Sequence, residues 1–350
     1  MADKNLFTVV VPIYNVKKYL HQCLESLAKQ SIRNHTVILV NDGSTDGSDV
    51  IAKLYVEKYP STFRLIEQEN LGLGAARNAG LKDVETEWVT FLDSDDWVPT
   101  SYIEILTRRI ADEKIKPDIV FTLPVIFDMA DSMYKNWMDK GLFESIFATN
   151  KSVNITNAPQ IMALEPSVNR RVFRTSFLMQ NHFSFPEGTK WEDVEPHFQL
   201  LHLANTCIAV GDTGFIYRIN SGGQITSTVG TDRLQIETVF SNLFRRMSEE
   251  NYSNVELSYA IKMFLSFSTW SIQCCSNEVR VDLLEKLHLL WKRIPQDVLN
   301  EYYKEFNVNK GLINYINRIR SPLYRFMKSP IKYEKYKSNI KKLLPIDDKR

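Results

Sequence analysis

The sequence predicts an α/β protein built around a mostly parallel β-sheet with helices on its faces. In the first hundred residues, short apolar and β-branched runs alternate with segments whose apolar residues recur at helical spacing. Each short run ends in a polar or Gly-rich turn, which is typical of parallel strands whose carboxyl ends share one edge of a sheet. The chain has 350 residues, of which 44% are hydrophobic and 24% charged, so it can bury a sizeable core.

The strands and helices follow one another in a regular order. The predicted strands cover residues 6–11, 36–40, 63–67, 88–92, 118–123 and 211–218. The first is followed by an amphipathic helix to about Gln30, the second by a helix through Tyr55, and the third by a helix along 72–80. Between 124 and 159 the periodicity is weak, and we expect an irregular excursion there. This order predicts a doubly wound sheet with a ligand crevice at its carboxyl edge.

The fourth strand runs into three carboxylates, Asp93, Asp95 and Asp96. Asp93 and Asp95 are two residues apart, so in an extended chain their side chains point to the same side. Two hard oxygen ligands at a strand end suit Mn²⁺ or Mg²⁺, particularly where phosphates complete the coordination shell. A solvated acidic turn explains the same residues, so the pattern alone leaves both interpretations open.

Polar residues also follow the neighbouring strands. Pro12 and Tyr14 follow the first strand, and Asp42 ends the second, where it serves either turn chemistry or the recognition of a base. Arg77 lies on a helix of small residues and is either a solvated charge or a diphosphate contact. The first strand is not followed by a Gly-rich dinucleotide fingerprint or a Walker sequence, which excludes a Rossmann dinucleotide site.

Four segments resemble glycosyltransferase family 2, the inverting transferases of the GT-A fold. They are V-V-V-P-I-Y-N, V-N-D-G-S-T-D, N-L-G-L-G-A-A-R-N-A-G-L and F-L-D-S-D-D, in this order within about residues 5–130. The resemblance implies a GT-A sheet, a UDP-sugar donor and a divalent cation, Mn²⁺ or Mg²⁺, bound by Asp93 and Asp95. Asp96 would support these two carboxylates without binding the metal itself.

The resemblance also implies a set of donor-binding residues along the same edge. These residues are Pro12, Tyr14, Asn15, Asp42, Arg77, Asn78 and Ser94. Asp42 would read the uracil edge, while Arg77 and Asn78 would face the sugar or the diphosphate.

Glu192 and Asp193 form an acidic pair at the start of an apolar-periodic segment. The residues alone are compatible with favourable charge in the first turn of a helix or with a catalytic site. A single-displacement glycosyl transfer needs a carboxylate that takes the proton of the acceptor hydroxyl. The resemblance makes Asp193 this general base and Glu192 a residue that orients hydroxyl groups. His197 would lie on the same helical face, and its role stays open.

Two further segments resemble the family loosely. Arg171 stands where the family often has a Lys, which leaves its role open. Tyr217, Arg218 and Ser221 match a Tyr-Arg pair and a Ser/Gly-rich loop that closes over the diphosphate, so Arg218 and Ser221 join the predicted donor-binding residues. A plain surface loop explains this last segment equally well.

Composition divides the chain into three parts. A catalytic domain is predicted over 1–230, with a nucleotide-sugar half (1–123) and an acceptor half (124–230); a helical module follows over 231–309, and a basic amphipathic tail over 310–350. The tail has twelve Lys or Arg against three acids, a net charge of +9, which leaves −8 for the rest of a chain whose total is +1. This charge excludes the body as a nucleic-acid binder and leaves open a peripheral membrane contact through the tail.

Several features bear on the cellular compartment. We expect no signal peptide, because residues 1–5 carry both charge signs and run directly into a strand. The sequence has no apolar run of the ~18–20 residues that span a bilayer, and its four cysteines lack zinc or disulfide spacing. We therefore expect a cytoplasmic protein, and the tail leaves open a location at the inner face of the cell membrane. Assembly into a homo-oligomer also stays open.

The sequence thus predicts an inverting, metal-dependent glycosyltransferase that moves a sugar from a UDP-sugar to a glycan, polymer or lipid-linked acceptor. Its place in bacterial surface polysaccharide synthesis is implied by the resemblance alone. The alternative is a non-catalytic protein that binds nucleotide-sugars or glycans, which would be favoured if Asp193 were buried and structural, or if the acid pair lay far from the metal site. A sugar nucleotidyltransferase is disfavoured, because residues 12–15 offer neither Gly nor a basic side chain to a triphosphate.

Overall fold

The computed structural model describes residues 5–148, 152–220 and 229–306. Backbone contacts divide the chain into two compact units, residues 1–223 and 224–350, and each is described by itself. Ser221 and the predicted basic tail lie outside the described residues. Within the described ranges, every helix is too short or too polar to span a bilayer.

The first unit is built on one mixed sheet. Its strands are β1 (Phe7–Ile13), β2 (His35–Asp42), β3 (Phe63–Gln68), β4 (Trp88–Phe91), β5 (Ile119–Asp128), β6 (Met133–Asn136), β7 (Arg171–Arg174) and β8 (Cys207–Ile219). They lie in the order β3-β2-β1-β4-β7-β5-β6, and β8 also pairs with β5. β1 runs parallel to both β2 and β4, and β2 runs parallel to β3. The predicted α/β class with a mostly parallel sheet is confirmed.

Seven helices connect the described strands of this unit. They are α1 (Lys17–Ala28), α2 (Ser48–Lys58), α3 (Leu73–Lys82), α4 (Tyr102–Ala111), α5 (Lys140–Phe147), α6 (Thr175–Gln180) and α7 (Val194–Leu203). α3 lies unusually close to the sheet, because a Cβ at Gly80 would come within 2.4 Å of Cγ1 of Val10. Any larger residue would push this helix away from β1.

β7 is one of two strands that the sequence did not predict, the other being β6. β7 is inserted between β4 and β5 and runs antiparallel to both, with Phe173 opposite Val89 and Ile119. Its four residues, R-V-F-R, include two Arg, so they do not form an apolar run that predicts a buried strand. Through β7, residues 171–174 lie between two strands that the sequence places in the first 123 residues.

The segment from 124 to 159 is more regular than its sequence suggested. β5 continues through Pro124 to Asp128, and β6 returns beside it as an antiparallel hairpin. The pairing of β5 with β8 shifts register on both sides of Leu123. These shifts accommodate Pro124, because proline has no backbone N–H to donate to a neighbouring strand. This irregularity breaks the alternation by which a strand is recognised in a sequence.

The second unit is helical over the residues that the structure describes. Its helices are α8 (Gln235–Glu249), α9 (Asn254–Cys274), α10 (Asn277–Trp291) and α11 (Gln296–Glu305). Ser253 and Glu256 form a capping box that begins α9. Edge-on contacts between aromatic rings, such as Phe240 with Phe264 at 5.3 Å, fill its core.

Candidate active site

The turns after β1 and β2 bond to each other at the carboxyl edge of the sheet. Asn15, with φ of 48°, accepts a hydrogen bond from the Thr45 amide through Oδ1 at 2.8 Å. The Lys17 amide donates to Asp46 Oδ2 at 2.9 Å, in the same pair of turns. Asn is one of the few residues that adopts a left-handed backbone readily, which explains its place here. The predicted residue Tyr14 lies beside this junction with half of its surface exposed.

Asp42 ends β2 and is almost fully buried. Its Oδ1 accepts hydrogen bonds from Gln68 Nε2 at 2.7 Å and from the Leu71 amide at 2.9 Å, while Oδ2 accepts from the Gly72 amide at 2.9 Å. The carboxylate therefore fixes the turn that leads into α3. Recognition of uracil by Asp42 stays a prediction, and a nucleobase would have to share a carboxylate that already holds this turn.

The three carboxylates after β4 lie in different surroundings. The Asp93 side chain is 30% exposed, whereas Asp96 is fully buried. Burial, together with the charge of Asp93, raises the pKa of Asp95 to about 6. Burial and the two neighbouring carboxylates also hold the pKa of Asp96 well above its usual range. Ser94, a predicted donor-binding residue, is buried between them.

Arg218 braces this acidic turn from β8. Its backbone amide donates to Asp96 Oδ1 and its Nε donates to the Asp95 carbonyl, both at 2.8 Å. The guanidinium lies between the rings of Tyr19 and Trp97, at 4.7 and 4.5 Å from their centroids. Stacking of this kind holds a buried guanidinium in one plane. The structure thus brings Arg218 to the predicted metal carboxylates, and a contact with the diphosphate stays a prediction.

Arg77 connects the acidic turn with the acidic pair of the acceptor half. Nη2 donates to Asp93 Oδ1 at 2.9 Å, while Nη1 donates to Glu192 Oε1 at 2.5 Å and to Asp193 Oδ1 at 2.9 Å. The guanidinium is 1% exposed, and the three carboxylates raise its pKa against the effect of burial. One side chain on α3 therefore holds carboxylates that lie 16, 115 and 116 residues away in the sequence.

Small residues allow α3 to reach the acceptor half. A Cβ at Gly74 would lie 2.1 Å from the carbonyl oxygen of Pro186, so only glycine fits there. Asn78 accepts from the Phe185 amide at 2.8 Å and donates to the Phe185 carbonyl at 3.0 Å and to Glu187 Oε1 at 2.8 Å. These contacts show that Asn78 anchors the loop before Glu192. The predicted contact of Asn78 with the donor stays a prediction.

Glu192 and Asp193 immediately precede α7. Burial raises the pKa of Glu192 to about 7 and also raises the pKa of Asp193, while Arg77 opposes both shifts. Asp193 Oδ2 accepts a hydrogen bond from the Val168 amide at 3.2 Å. Its side chain remains 22% exposed, compared with 7% for Glu192. Asp193 is thus the more accessible acid, and a raised pKa makes it a stronger base.

These contacts bring together most of the predicted site. Asp93 and Asp193 bond to the two terminal nitrogens of the same guanidinium, so a small reacting group beside Arg77 is within reach of both. Pro12 lies at the buried end of β1, and Ser221 lies outside the described residues. Within the described ranges, no group of three or more His, Cys, Asp or Glu side chains is arranged to hold a metal. A cation here would therefore need ligands from a bound molecule.

Comparison with known proteins identifies a similar family. The model of Glycosyl transferase family 2 matches residues 8–173, which include nearly all of β1 to β7 and the acidic turn. This part of the chain is therefore similar to glycosyl transferase family 2. The match ends before Glu192, so the family model itself does not cover the acidic pair.

The chain is similar to several named proteins. It is 28% identical to the glycosyltransferase GlyA of Streptococcus pneumoniae over 329 residues, which are 91% of this chain and 42% of GlyA. It is 30% identical to the poly(ribitol-phosphate) beta-N-acetylglucosaminyltransferase TarS of Staphylococcus aureus over 226 residues, or 63% of this chain and 37% of TarS. The chain therefore spans less than half the length of both relatives.

The fold of this chain matches that of a solved structure. The crystal structure of S. aureus TarS 1–349 in complex with UDP-GlcNAc superposes with a TM-score of 0.69 at 21% identity, covering 95% of this chain and 92% of that chain. The predicted GT-A fold is confirmed.

Two residues near Asp193 had no role in the sequence-based prediction. Arg171 on β7 donates through Nη2 to Nδ1 of His197, and His197 Nε2 donates to the Met162 carbonyl at 3.0 Å. His197 is 1% exposed, and burial together with Arg171 holds its pKa well below its usual range. It is therefore a neutral, buried hydrogen-bonding residue. The only signal in the sequence was the Arg that stands where the family often has a Lys.

Proposed function

We propose that this protein is an inverting glycosyltransferase that transfers a sugar from a UDP-sugar to a hydroxyl group of a polymer, glycan or lipid-linked acceptor. The observation that carries the proposal is the single guanidinium of Arg77, which holds Asp93 and Asp193 at 2.9 Å each. Asp93 lies at the carboxyl edge of a parallel sheet, where α/β proteins bind their ligands. Asp193 bonds to the other terminal nitrogen of Arg77 and does not belong to the turn that contains Asp93.

In this proposal Asp193 is the general base. Its raised pKa and partial exposure suit a group that accepts a proton from an incoming hydroxyl. Arg77 favours the charged form of Asp193 before the reaction and fixes the direction in which its Oδ1 points. Glu192 is less exposed, and we assign it to the orientation of hydroxyl groups on the sugar or the acceptor.

The carboxylates after β4 fit a divalent cation, Mn²⁺ or Mg²⁺. Asp93 and Asp95 are close enough for the charge of one to raise the pKa of the other, and Oδ2 of Asp96 is buried without a hydrogen-bond partner among the described residues. Crowded carboxylates of this kind are stabilised by a hard cation, and Asp93 and Asp95 would be its protein ligands. When bound, the cation would neutralise the charge that develops on the departing diphosphate. Arg218 would keep the acidic turn in place.

The donor and acceptor classes come from the relatives. One solved relative binds UDP-GlcNAc, and the name of the same protein describes transfer to poly(ribitol phosphate). We therefore propose a UDP-sugar donor and a hydroxyl-rich surface polymer as the acceptor. The bacterial relatives and the absence of a spanning helix from the described ranges agree with the cytoplasmic location expected from the sequence.

The test begins with donor binding. Calorimetric titration with UDP-, GDP-, CDP- and dTDP-sugars, each with Mn²⁺, should show tight binding for a UDP-sugar and lose it when EDTA replaces Mn²⁺. Turnover is then measured as nucleotide release from that donor, with poly(ribitol phosphate) and without it. Equal binding of all four nucleotides, or binding that ignores Mn²⁺ removal, would refute the proposed donor site.

The alternative of a non-catalytic binding protein predicted either a buried, structural Asp193 or a large separation between the acid pair and the metal carboxylates. Asp193 does bond to Arg77 and to the Val168 amide, but its side chain keeps 22% of its surface exposed. The shared contacts of Arg77 argue against that separation. Nucleotide release that depends on Asp193 would decide between the two, because a binding protein has no use for a base.

A further inference from the structure

Arg171 is a buried cation without a carboxylate among its hydrogen-bond partners in the described residues. Nη1 donates to the Pro166 carbonyl at 3.1 Å, and Nη2 donates to the Glu165 carbonyl at 3.4 Å and to Nδ1 of His197. The residue is 2% exposed, and its guanidinium lies over the Phe121 ring at 5.1 Å. Burial lowers the pKa of Arg171 to about 10, so it remains charged at neutral pH. A buried charge with neutral partners is costly, which suggests that its contacts serve a purpose beyond stability.

The partners of Arg171 belong to the two segments that hold Asp193. The first is the 165–168 segment, whose last residue, Val168, donates its amide to Asp193 Oδ2 at 3.2 Å. The second is the first turn of α7, where the His197 amide donates to the Asp193 carbonyl at 3.0 Å. Arg171 thus ties the segment that binds the side chain of Asp193 to the helix that binds its backbone.

The protonation of His197 is fixed by this arrangement. Because Nδ1 accepts from Arg171, the ring proton lies on Nε2, which donates to the Met162 carbonyl. A charged imidazole could not accept from the guanidinium. His197 therefore acts as a neutral connector between β7 and α7, and its role does not require titration.

We propose that Arg171 is a positioning residue which, through His197 and the 165–168 segment, holds Asp193 in the orientation required of the general base. This inference rests on the proposed function, since that function gives Asp193 its task. The planar fork of an arginine reaches the three acceptors from two separate nitrogens, whereas a lysine would have to donate to all three from a single one. Misplacement of a catalytic group by about 1 Å costs roughly 10²-fold in rate.

The test compares Arg171→Lys with Arg174→Gln. Arg174 lies on the same strand but pairs with Asp118, away from Asp193, and it is the matched control. We expect Arg171→Lys to lower kcat about 10- to 100-fold while the Kd for UDP with Mn²⁺ stays within about twofold. Arg174→Gln should lower the melting temperature without changing kcat. A normal kcat in Arg171→Lys, or a parallel loss of UDP binding and kcat, would overturn the inference.

A second pair of variants separates positioning from folding. His197→Asn replaces the acceptor Nδ1 by an amide oxygen that can accept from Arg171, whereas His197→Leu offers no acceptor. We expect Asn to retain most of kcat and Leu to lose it, measured at a temperature at which both remain folded. Equal losses in the two variants would contradict the connector role. If Asp193→Asn kept normal turnover, the proposed base itself would be wrong; if it were inactive while Arg171→Lys was normal, only the present inference would fail.

Discussion

The two halves of the candidate site are constructed differently. The donor edge consists of residues that end neighbouring parallel strands, so the order β2-β1-β4 brings Asp42, Asn15 and Asp93 to one side of the sheet. The acid pair has no such support from strand order. Asp193 is held by Arg77, which lies 116 residues earlier in the sequence, and by Val168, which lies 25 residues earlier. Topology therefore places the residues of the proposed donor edge, whereas individual long-range contacts position the proposed base.

The largest effect is expected from Asp193→Asn, which tests the base on its own. The amide keeps the shape of the side chain but cannot accept a proton, so kcat should fall about 10³-fold. The Kd for UDP with Mn²⁺ should remain nearly unchanged, because the donor edge is intact. Nucleotide release and calorimetry measure the two quantities. Near-normal turnover in this variant would assign the base elsewhere.

Asp95→Asn tests the donor edge, because here UDP binding itself is expected to change. Loss of a proposed metal ligand should weaken UDP binding in the presence of Mn²⁺ by at least about 10- to 100-fold. UDP binding without Mn²⁺ should change little, which serves as the internal control. A variant that binds UDP with Mn²⁺ as the wild type does would contradict the assignment of Asp95 as a ligand.

Arg77→Met removes the connection between the halves. Three carboxylates would lose their shared partner, and breaking a buried ion pair on one side costs about 3–5 kcal/mol in the free energy of unfolding. Without Arg77 the pKa values of Glu192 and Asp193 should rise further, so the loss should grow as the pH increases through them and these groups become charged. Denaturant unfolding at pH 5 and pH 8 measures this. A loss that is larger at pH 5 would be the wrong sign.

Gly74→Ala tests the close approach of α3 to the acceptor half. Its Cβ would overlap the Pro186 carbonyl oxygen, and overpacking of this kind costs about 1–3 kcal/mol. Gly141→Ala in α5 is the matched control, since a Cβ there meets no atom within 4 Å and should be neutral or stabilising by up to about 1 kcal/mol. Equal stability changes at the two glycines would show that α3 can move away at no cost.

The smallest effect is expected at Asp128, which belongs neither to the donor edge nor to the acid pair. Hydrogen bonds from Lys135, Asn220 and the Ala130 amide lower its pKa to about 2. A lowered pKa means that its stabilising effect is present above about pH 4 and disappears as the pH falls through about 2. Asp128→Asn should therefore melt slightly below the wild type at pH 6, and the difference should vanish near pH 2. A difference that persists at pH 2 would exclude ionisation as its cause.

The same contrast explains how far the sequence could be interpreted. The apolar run that ends at Asp93 predicted a strand end, and the repeated strand–helix order predicted that Asp42 would share its edge. β7 escaped prediction because two of its four residues are Arg, although Arg171 is buried there against Phe121. The pairing of Arg77 with Asp193 could not be deduced, since nothing in the local pattern of α3 identifies a partner 116 residues away.

The most direct test of the central claim is a crystal structure of the protein with UDP and Mn²⁺. We expect Mn²⁺ on Asp93 and Asp95 with the diphosphate beside it, and Asp193 facing the position of the sugar from the other side of Arg77. A structure in which UDP bound away from the acidic turn, or in which Asp193 lay beyond the reach of a sugar attached to that diphosphate, would contradict it.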